Sequence, residues 1–180
     1  MKLIRAKTDP NIYPEFDRLY AEAFPAEEQL PLRYLKRKAR KASSDCIGVY
    51  DGDRFVGLLN LIYHADVVLV FYFAVSGEVR GQGFGSAILD ALKAESAGKR
   101  IVLYIEPPEE SSPNLDQRIR RKAFYEKNGF TDCGYRVTER GVTYDVLSYG
   151  GCVTDAELKA LLKHYAGRLR YPFLFRFPNR

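Results

Sequence analysis

The chain has 180 residues, with 28 lysines and arginines against 23 aspartates and glutamates and a formal net charge of +5. One domain is the default at that length, and 46% hydrophobic residues with 13 tyrosines and 11 phenylalanines suffice for a sizeable core. The charge excess is mild: it suits a polyphosphate ligand and does not by itself imply nucleic acid.

No apolar run reaches the roughly 18 residues of a membrane span, and the apolar part of MKLIRAKTDP is too short for a signal peptide. Cys46, Cys133 and Cys152 are odd in number. With only His64 and His164 to add, they lack metal-ligand spacing, so no metal is expected. A cytoplasmic location fits this cysteine usage.

Lys2 to Lys7 alternates as a strand. Asp9 and Pro10 suit a helix start, and Ile12, Phe16, Leu19, Tyr20 and Ala23 form its apolar stripe. Phe24-Pro25 ends it. A second helix from about Leu32 carries Arg33, Lys36, Arg37, Lys38, Arg40 and Lys41. This run lacks aromatic interleaving or an RNA-binding signature, so it reads as a solvated basic face. Cys46–Tyr50 and Arg54–Tyr63 are strands around Asp51-Gly52-Asp53, a hairpin signal. His64-Ala65-Asp66 reads as a plain turn into Val67–Val75, an unbroken apolar run that suits a strand buried on both faces.

After that strand comes Arg80-Gly81-Gln82-Gly83-Phe84-Gly85-Ser86, then a helix with Ile88, Leu89, Ala91 and Leu92 at helical spacing. Arg100–Glu106 follows as a strand that the helical crossover allows to run parallel to Val67–Val75. Residues 107–116 are polar and proline-rich. The next helix stops at Asn128-Gly129, a C-cap pair. Thr131–Thr138 and Val142–Ser148 form a hairpin, and Thr154 with Glu157 makes a capping-box helix start. The aromatic tail YPFLFRFPNR either packs on the core or covers a second copy of the chain in a homodimer.

Strand, glycine turn and helix N-terminus together form an anion-binding arrangement: the first helical N–H groups lack intrahelical partners and glycine removes obstructing Cβ atoms. A nucleotide P-loop is excluded because no Lys-Ser or Lys-Thr follows the glycines. The dinucleotide fingerprint fits poorly, because the third glycine is one residue early and Ser86 takes its place. A turn that merely joins strand to helix is the plain alternative.

Arg80, Gly83 and Gly85 also satisfy Arg/Gln-x-x-Gly-x-Gly/Ala, and Tyr125-Glu126-Lys127-Asn128-Gly129-Phe130 ends a helix in Tyr-Glu-Lys-x-Gly-Phe. In these two motifs, their order and their separation, residues from about Leu3 to Ser148 resemble the GNAT superfamily of N-acetyltransferases. The resemblance implies an α/β (α+β) fold: a mixed, mostly antiparallel, splayed sheet of about seven strands flanked by helices. The acetyltransferase domain would cover residues 1–150. Residues 151–180 would form a helix and tail packed on that domain or at a dimer interface.

The resemblance further implies an N-acetyltransferase that uses acetyl-CoA as co-substrate, with direct attack by the primary amine of a small molecule or peptide. Arg80, Gly81, Gln82, Gly83, Phe84, Gly85 and Ser86 would hold the pyrophosphate, and the backbone of Phe73 and Val75 the pantetheine arm. Val75 N–H would face the thioester oxygen, and Tyr125 would be the general acid. For the base, Glu106 at its strand end comes first and Glu28 second. Glu28 follows Phe24-Pro25 at a spacing that resembles a bacterial subgroup of the family. The plain alternatives are a structural Glu106 paired with an arginine of residues 118–121, and solvated Glu27 and Glu28. Cys133 has no histidine beside it in sequence, which argues against an acyl-enzyme. Two rivals stand beside this reading: a non-catalytic acyl-CoA-binding module that engages a partner through its basic helix, and an acyl donor longer than acetyl, limited by Phe71, Tyr72 and Phe73.

Overall fold

A computed structural model describes residues 1–139, 141–167 and 175–176. The chain divides into two compact units, Met1–Tyr63 with Leu69–Ala97, and His64–Val68 with Gly98–Arg180.

In the first unit, β1 (Lys2–Arg5) leads through a 3-10 turn at Pro10–Ile12 into α1 (Tyr13–Ala23), then α2 (Leu32–Lys38), β2 (Ser44–Asp51), β3 (Arg54–His64), β4 (Val67–Val75) and α3 (Phe84–Glu95). β1 pairs antiparallel with β2, with Leu3 opposite Val49, and β2 pairs antiparallel with β3, with Ile47 opposite Leu59. The Asp9 carboxylate accepts the Asn11 N–H at 3.0 Å, the cap that starts the first helical turn. Ile12, Phe16, Leu19 and Tyr20 of the resulting stripe are buried with Leu35, Cys46 and Leu58.

The basic segment differs from its expectation. α2 ends at Lys38, where Ala39 N–H closes the last turn on Leu35 O at 2.8 Å, so Arg40 and Lys41 lie beyond the helix. Lys36 is also drawn off a common face, since it pairs with Asp17 and sits over the Tyr13 ring at 4.4 Å. Ala39 is buried, which anchors this last turn.

In the second unit, β5 (Arg100–Ile105), α4 (Leu115–Lys127), β6 (Thr131–Glu139), β7 (Val142–Tyr149) and α5 (Asp155–Ala166) are followed by the two-residue β8 (Phe175–Arg176). The strand order is β5-β7-β6-β8. β7 is antiparallel to both β5 and β6, and the β6 register is irregular between Asp132 and Arg136. β8 pairs with β6 at Thr138 and Glu139. The expected capping box starts α5, with Glu157 N–H on Thr154 Oγ1 and Thr154 N–H on the Glu157 carboxylate. Of the aromatic tail, only the β8 backbone is among the described residues, and the expectation for its packing lies outside them.

Mostly antiparallel strands flanked by helices are thus the expected fold class, with eight strands among the described residues when β8 is counted. No helix among the described residues is long and apolar enough to cross a membrane.

Candidate active site

β4 leaves its last residue, Val75, half-buried, and Ser76 N–H donates to Val56 O at 2.9 Å. A 3-10 turn at Gly77–Val79 follows. Gly81 (φ +76°) and Gly83 (φ +84°) then take left-handed backbone conformations that carry the chain into α3. A Cβ at either glycine would meet nothing within 4 Å, so it is the backbone conformation, not crowding, that requires glycine there. Gly83 is the N-cap, no side chain caps the helix, and its first intrahelical bond is Ala87 N–H to Gly83 O at 3.2 Å. The first-turn amides of Phe84, Gly85 and Ser86 therefore begin α3 without an intrahelical acceptor, at the positive end of its dipole.

Arg80 is exposed and bends back so that its Nε donates to Val75 O at 3.3 Å. Gln82 is also exposed, and its Nε2 donates to Glu78 O at 3.3 Å. Open space at the glycines, amides at a helix start and an exposed guanidinium suit a pyrophosphate. Phe73 and Val75 are half-buried at the end of the same strand.

The loop that carries Glu28 is clamped from two elements. The Tyr72 hydroxyl of β4 donates to Glu28 O at 2.9 Å and accepts Leu30 N–H at 3.2 Å. The Tyr20 hydroxyl of α1 meets Leu30 from the other side, 2.9 Å from its N and 3.1 Å from its O. The Tyr20, Phe24 and Tyr72 rings pack with centroids 4.8 to 5.5 Å apart. Glu28 N–H closes a turn on Pro25 O at 3.0 Å, leaving Glu28 half-buried and Glu27 exposed.

In the second unit, Tyr125 lies in the last turn of α4. Phe130 N–H returns to Tyr125 O at 3.0 Å beyond the Asn128-Gly129 cap. Its ring is buried, edge-on to Phe124 (5.1 Å) and Phe130 (5.7 Å). Burial pushes the phenol up to about 12, with the Arg121 charge a partial offset. The group is thus a protonated donor at neutral pH.

Glu106 lies one residue beyond β5 and is paired with arginines. Arg118 Nη2 lies 2.5 Å from one carboxylate oxygen and Arg121 Nη1 3.3 Å from the other. Arg118 also donates to Pro107 O (3.1 Å) and to Asn114 Oδ1 (2.7 Å), so one side chain fastens the strand end, the proline-rich loop and the start of α4. The Glu106–arginine pairing is the plain alternative stated for this residue. Each oxygen keeps lone-pair capacity for a further donor.

Three structural features around the candidate site went unread in the sequence. The Tyr72 hydroxyl acts on a loop more than 40 residues away in sequence, the Tyr20 hydroxyl meets the same loop, and Arg118 fastens three segments at once. Gly57, inside β3, is the third: a Cβ there would stand 2.6 Å from Ala74 O and 3.0 Å from Ile88 Cδ1, so only glycine lets β4 and α3 approach. A glycine within an apolar strand pattern was the available signal. His64 closes β3 rather than opening a plain turn, and its ring stacks on His164 at 4.9 Å.

Residues 42–132 match the family described as "Acetyltransferase (GNAT) domain", a span that holds both the glycine turn and Tyr125. The chain belongs to the GNAT acetyltransferase family. Over 122 residues it is 29% identical to "Putative acetyltransferase YjbC" of Bacillus subtilis (strain 168), a match that covers 64% of this chain and 58% of that relative. Its fold is that of other GNAT proteins. A Bacteroides thetaiotaomicron structure titled "Putative acetyltransferase from GNAT family" superposes with a TM-score of 0.75 at 23% identity, covering 95% of this chain and 98% of the other. An aminoglycoside 6'-N-acetyltransferase complexed with coenzyme A gives 0.61 at 16% identity, over 82% and 96% of the two chains.

Proposed function

We propose that the protein is an acetyl-CoA-dependent N-acetyltransferase that moves the acetyl group to a primary amine by direct attack. The supporting observation is the start of α3: Gly83 in a left-handed N-cap, open amides at Phe84–Ser86, and the exposed Arg80 beside them. The family match and the coenzyme A complex of a structural neighbour favour the same ligand.

When bound, acetyl-CoA supplies an acetyl group activated as a thioester. The Gly81–Ser86 amides and Arg80 bind its phosphates, and the backbone of Phe73 and Val75 holds the pantetheine arm as an added strand would. Val75 N–H is the donor to the thioester oxygen as charge develops there. Tyr125 gives its proton to the departing thiolate, and its buried ring keeps that proton in place at neutral pH. The amine must attack as the free base, and a lysine-like amine has a pKa of about 10.4. Glu106 and Glu28 are the candidates to take its proton through a water. Glu106→Gln and Glu28→Gln separate them: the true base loses rate at pH 7 and recovers it as the pH approaches the amine's own pKa.

Two linked measurements test the reading. Calorimetric titration with acetyl-CoA should show micromolar binding, and thiol release from acetyl-CoA should depend on an amine in a panel of polyamines, aminoglycosides, amino acids and peptides. Absence of binding at millimolar acetyl-CoA would refute the cofactor site. Binding without turnover across the panel would favour a non-catalytic acyl-CoA module instead.

A further inference from the structure

The Tyr72 hydroxyl reaches from β4 to the loop that carries Glu28, and no step of the transfer has yet used it. Both peptide planes that flank the Glu28 Cα are pinned. On one side Glu28 N–H donates to Pro25 O at 3.0 Å, and on the other the Tyr72 hydroxyl donates to Glu28 O at 2.9 Å. The two planes set φ and ψ of Glu28, and so the direction in which its side chain leaves the backbone. The next two residues tighten the hold. Leu30 N–H is 3.2 Å from the Tyr72 hydroxyl oxygen and 2.9 Å from that of Tyr20, and Gln29 Nε2 donates back to Phe24 O at 2.7 Å. The Tyr72 ring itself is wedged edge-on against Tyr20 (4.8 Å) and Phe24 (4.9 Å). All of these residues belong to the first unit. Along β4, Tyr72 is buried while Phe73 and Val75 are half-buried, the alternation of a strand. Tyr72 thus grips the loop from the buried face, about 10 Å of strand before Val75.

We propose that Tyr72 is a positioning residue for the transfer: its hydroxyl fixes Glu28 to β4, so that the Glu28 carboxylate meets the incoming amine and takes its proton through a water. The proposal rests on the acetyl-transfer reading above and decides between its two candidate bases. The hold uses the carbonyl of Glu28 and consumes neither carboxylate oxygen. Glu106, by contrast, is held through both carboxylate oxygens by Arg118 and Arg121. One strand then carries both the Val75 N–H assigned to the thioester oxygen and the anchor of the base, which gives acyl donor and base a common frame. Buried backbone groups need partners in any case, and a hydroxyl that only satisfied them would change stability alone. A positioning hydroxyl changes the rate, and does so only while Glu28 is present.

The test is a double-mutant cycle on the full chain: kcat/KM for the best amine of the panel, from pH 7 upward, in wild type, Tyr72→Phe, Glu28→Gln and the double variant. Tyr72→Phe keeps the ring packing and should lose about three- to tenfold at pH 7, the worth of one hydrogen bond. The loss should disappear as the pH approaches the amine's own pKa, in parallel with that of Glu28→Gln. The double variant should match Glu28→Gln within twofold, because nothing is left for Tyr72 to position. Acetyl-CoA affinity by calorimetry should stay within twofold throughout, which also checks that the variants fold. Tyr20→Phe leaves the bond to Glu28 O in place and should lose less than Tyr72→Phe. Tyr50→Phe removes a hydroxyl that donates to Glu15 Oε2 at 2.7 Å, away from this loop, and should leave the rate unchanged. Multiplying losses in the double variant, a Tyr72→Phe loss that is the same at every pH, or a wild-type rate in Glu28→Gln would each overturn the proposal while the transferase reading stands. A wild type that binds acetyl-CoA and acetylates no amine would overturn both.

Discussion

The turn from β4 into α3 and the segment from Glu106 to Tyr125 place their candidate functional groups by opposite means. The first presents main-chain amides, and glycines at positive φ make that presentation possible. The second presents side chains, each held by other side chains: Glu106 by Arg118 and Arg121, and Tyr125 by Phe124 and Phe130. A main-chain site tolerates changes in side-chain chemistry but not an added Cβ. A side-chain site fails when one functional atom is removed.

The largest effect should come from such a removal. Tyr125→Phe should lower kcat by about 10²- to 10⁴-fold, the range of general acid–base catalysis, and leave acetyl-CoA affinity unchanged in calorimetry. Because burial raises this phenol to about 12, the wild-type rate should not fall through tyrosine ionisation below about pH 11. The sign for stability follows: the folded state holds the proton more tightly, so this contribution is intact below the unfolded pKa of about 10 and is lost as pH rises toward 12. An unchanged rate in Tyr125→Phe would place the proton donor elsewhere.

Next should come the main-chain half. Gly83→Asp puts a negative charge at the α3 amides and should weaken acetyl-CoA binding about a hundredfold, a penalty of two powers of ten. Gly83→Ala adds only the left-handed strain, about 1–2 kcal/mol in urea unfolding, with a smaller loss of affinity. Ser86→Ala should change affinity less than either. If Ser86→Ala proved the more damaging, side chains rather than amides would hold the phosphates, and the contrast between the two regions would fail.

Gly57→Val probes the packing beneath the main-chain half. The new side chain would strike Ala74 O on β4, a backbone atom that cannot step aside alone. Unfolding free energy should fall by about 1–3 kcal/mol, as for other overpacked cores. Acetyl-CoA affinity should fall with it, because β4 delivers Val75 and the glycine turn.

The same contrast explains what the sequence disclosed. Main-chain sites leave punctuation: Gly81 and Gly83 were legible because few other residues adopt their φ, and the Thr154–Glu157 cap because it closes over one turn. Tyr125 was legible only through a motif at a helix end, and the antiparallel hairpins through their turns. Contacts between distant residues were not legible. Nothing local announces that the Tyr72 hydroxyl binds Glu28 and Leu30, 44 and 42 residues away. The pairing of Glu106 with the 118–121 arginines was one of two readings, and only coordinates could supply the distances.

The smallest effect tests whether side-chain networks in the second unit matter where no chemistry is assigned. Arg100 bridges Asp66 and Glu157, and its hydrogen bonds, followed by those from Thr154, hold the Glu157 carboxyl down to about 2. A depressed folded pKa means that stability is present above the unfolded value of about 4.5 and is lost as pH falls toward 2. Glu157→Gln keeps an acceptor for the Thr154 cap but removes the charge, so the acid limb of unfolding should flatten between those values. Solvent screens the pair, since 39% of the Glu157 side chain is exposed, so the cost near pH 7 should be within about 0.2–1 kcal/mol. The transfer rate should not change. A rate loss matching that of Glu106→Gln would mean that this ion pair, at the foot of α5, supports the residues that carry the reaction.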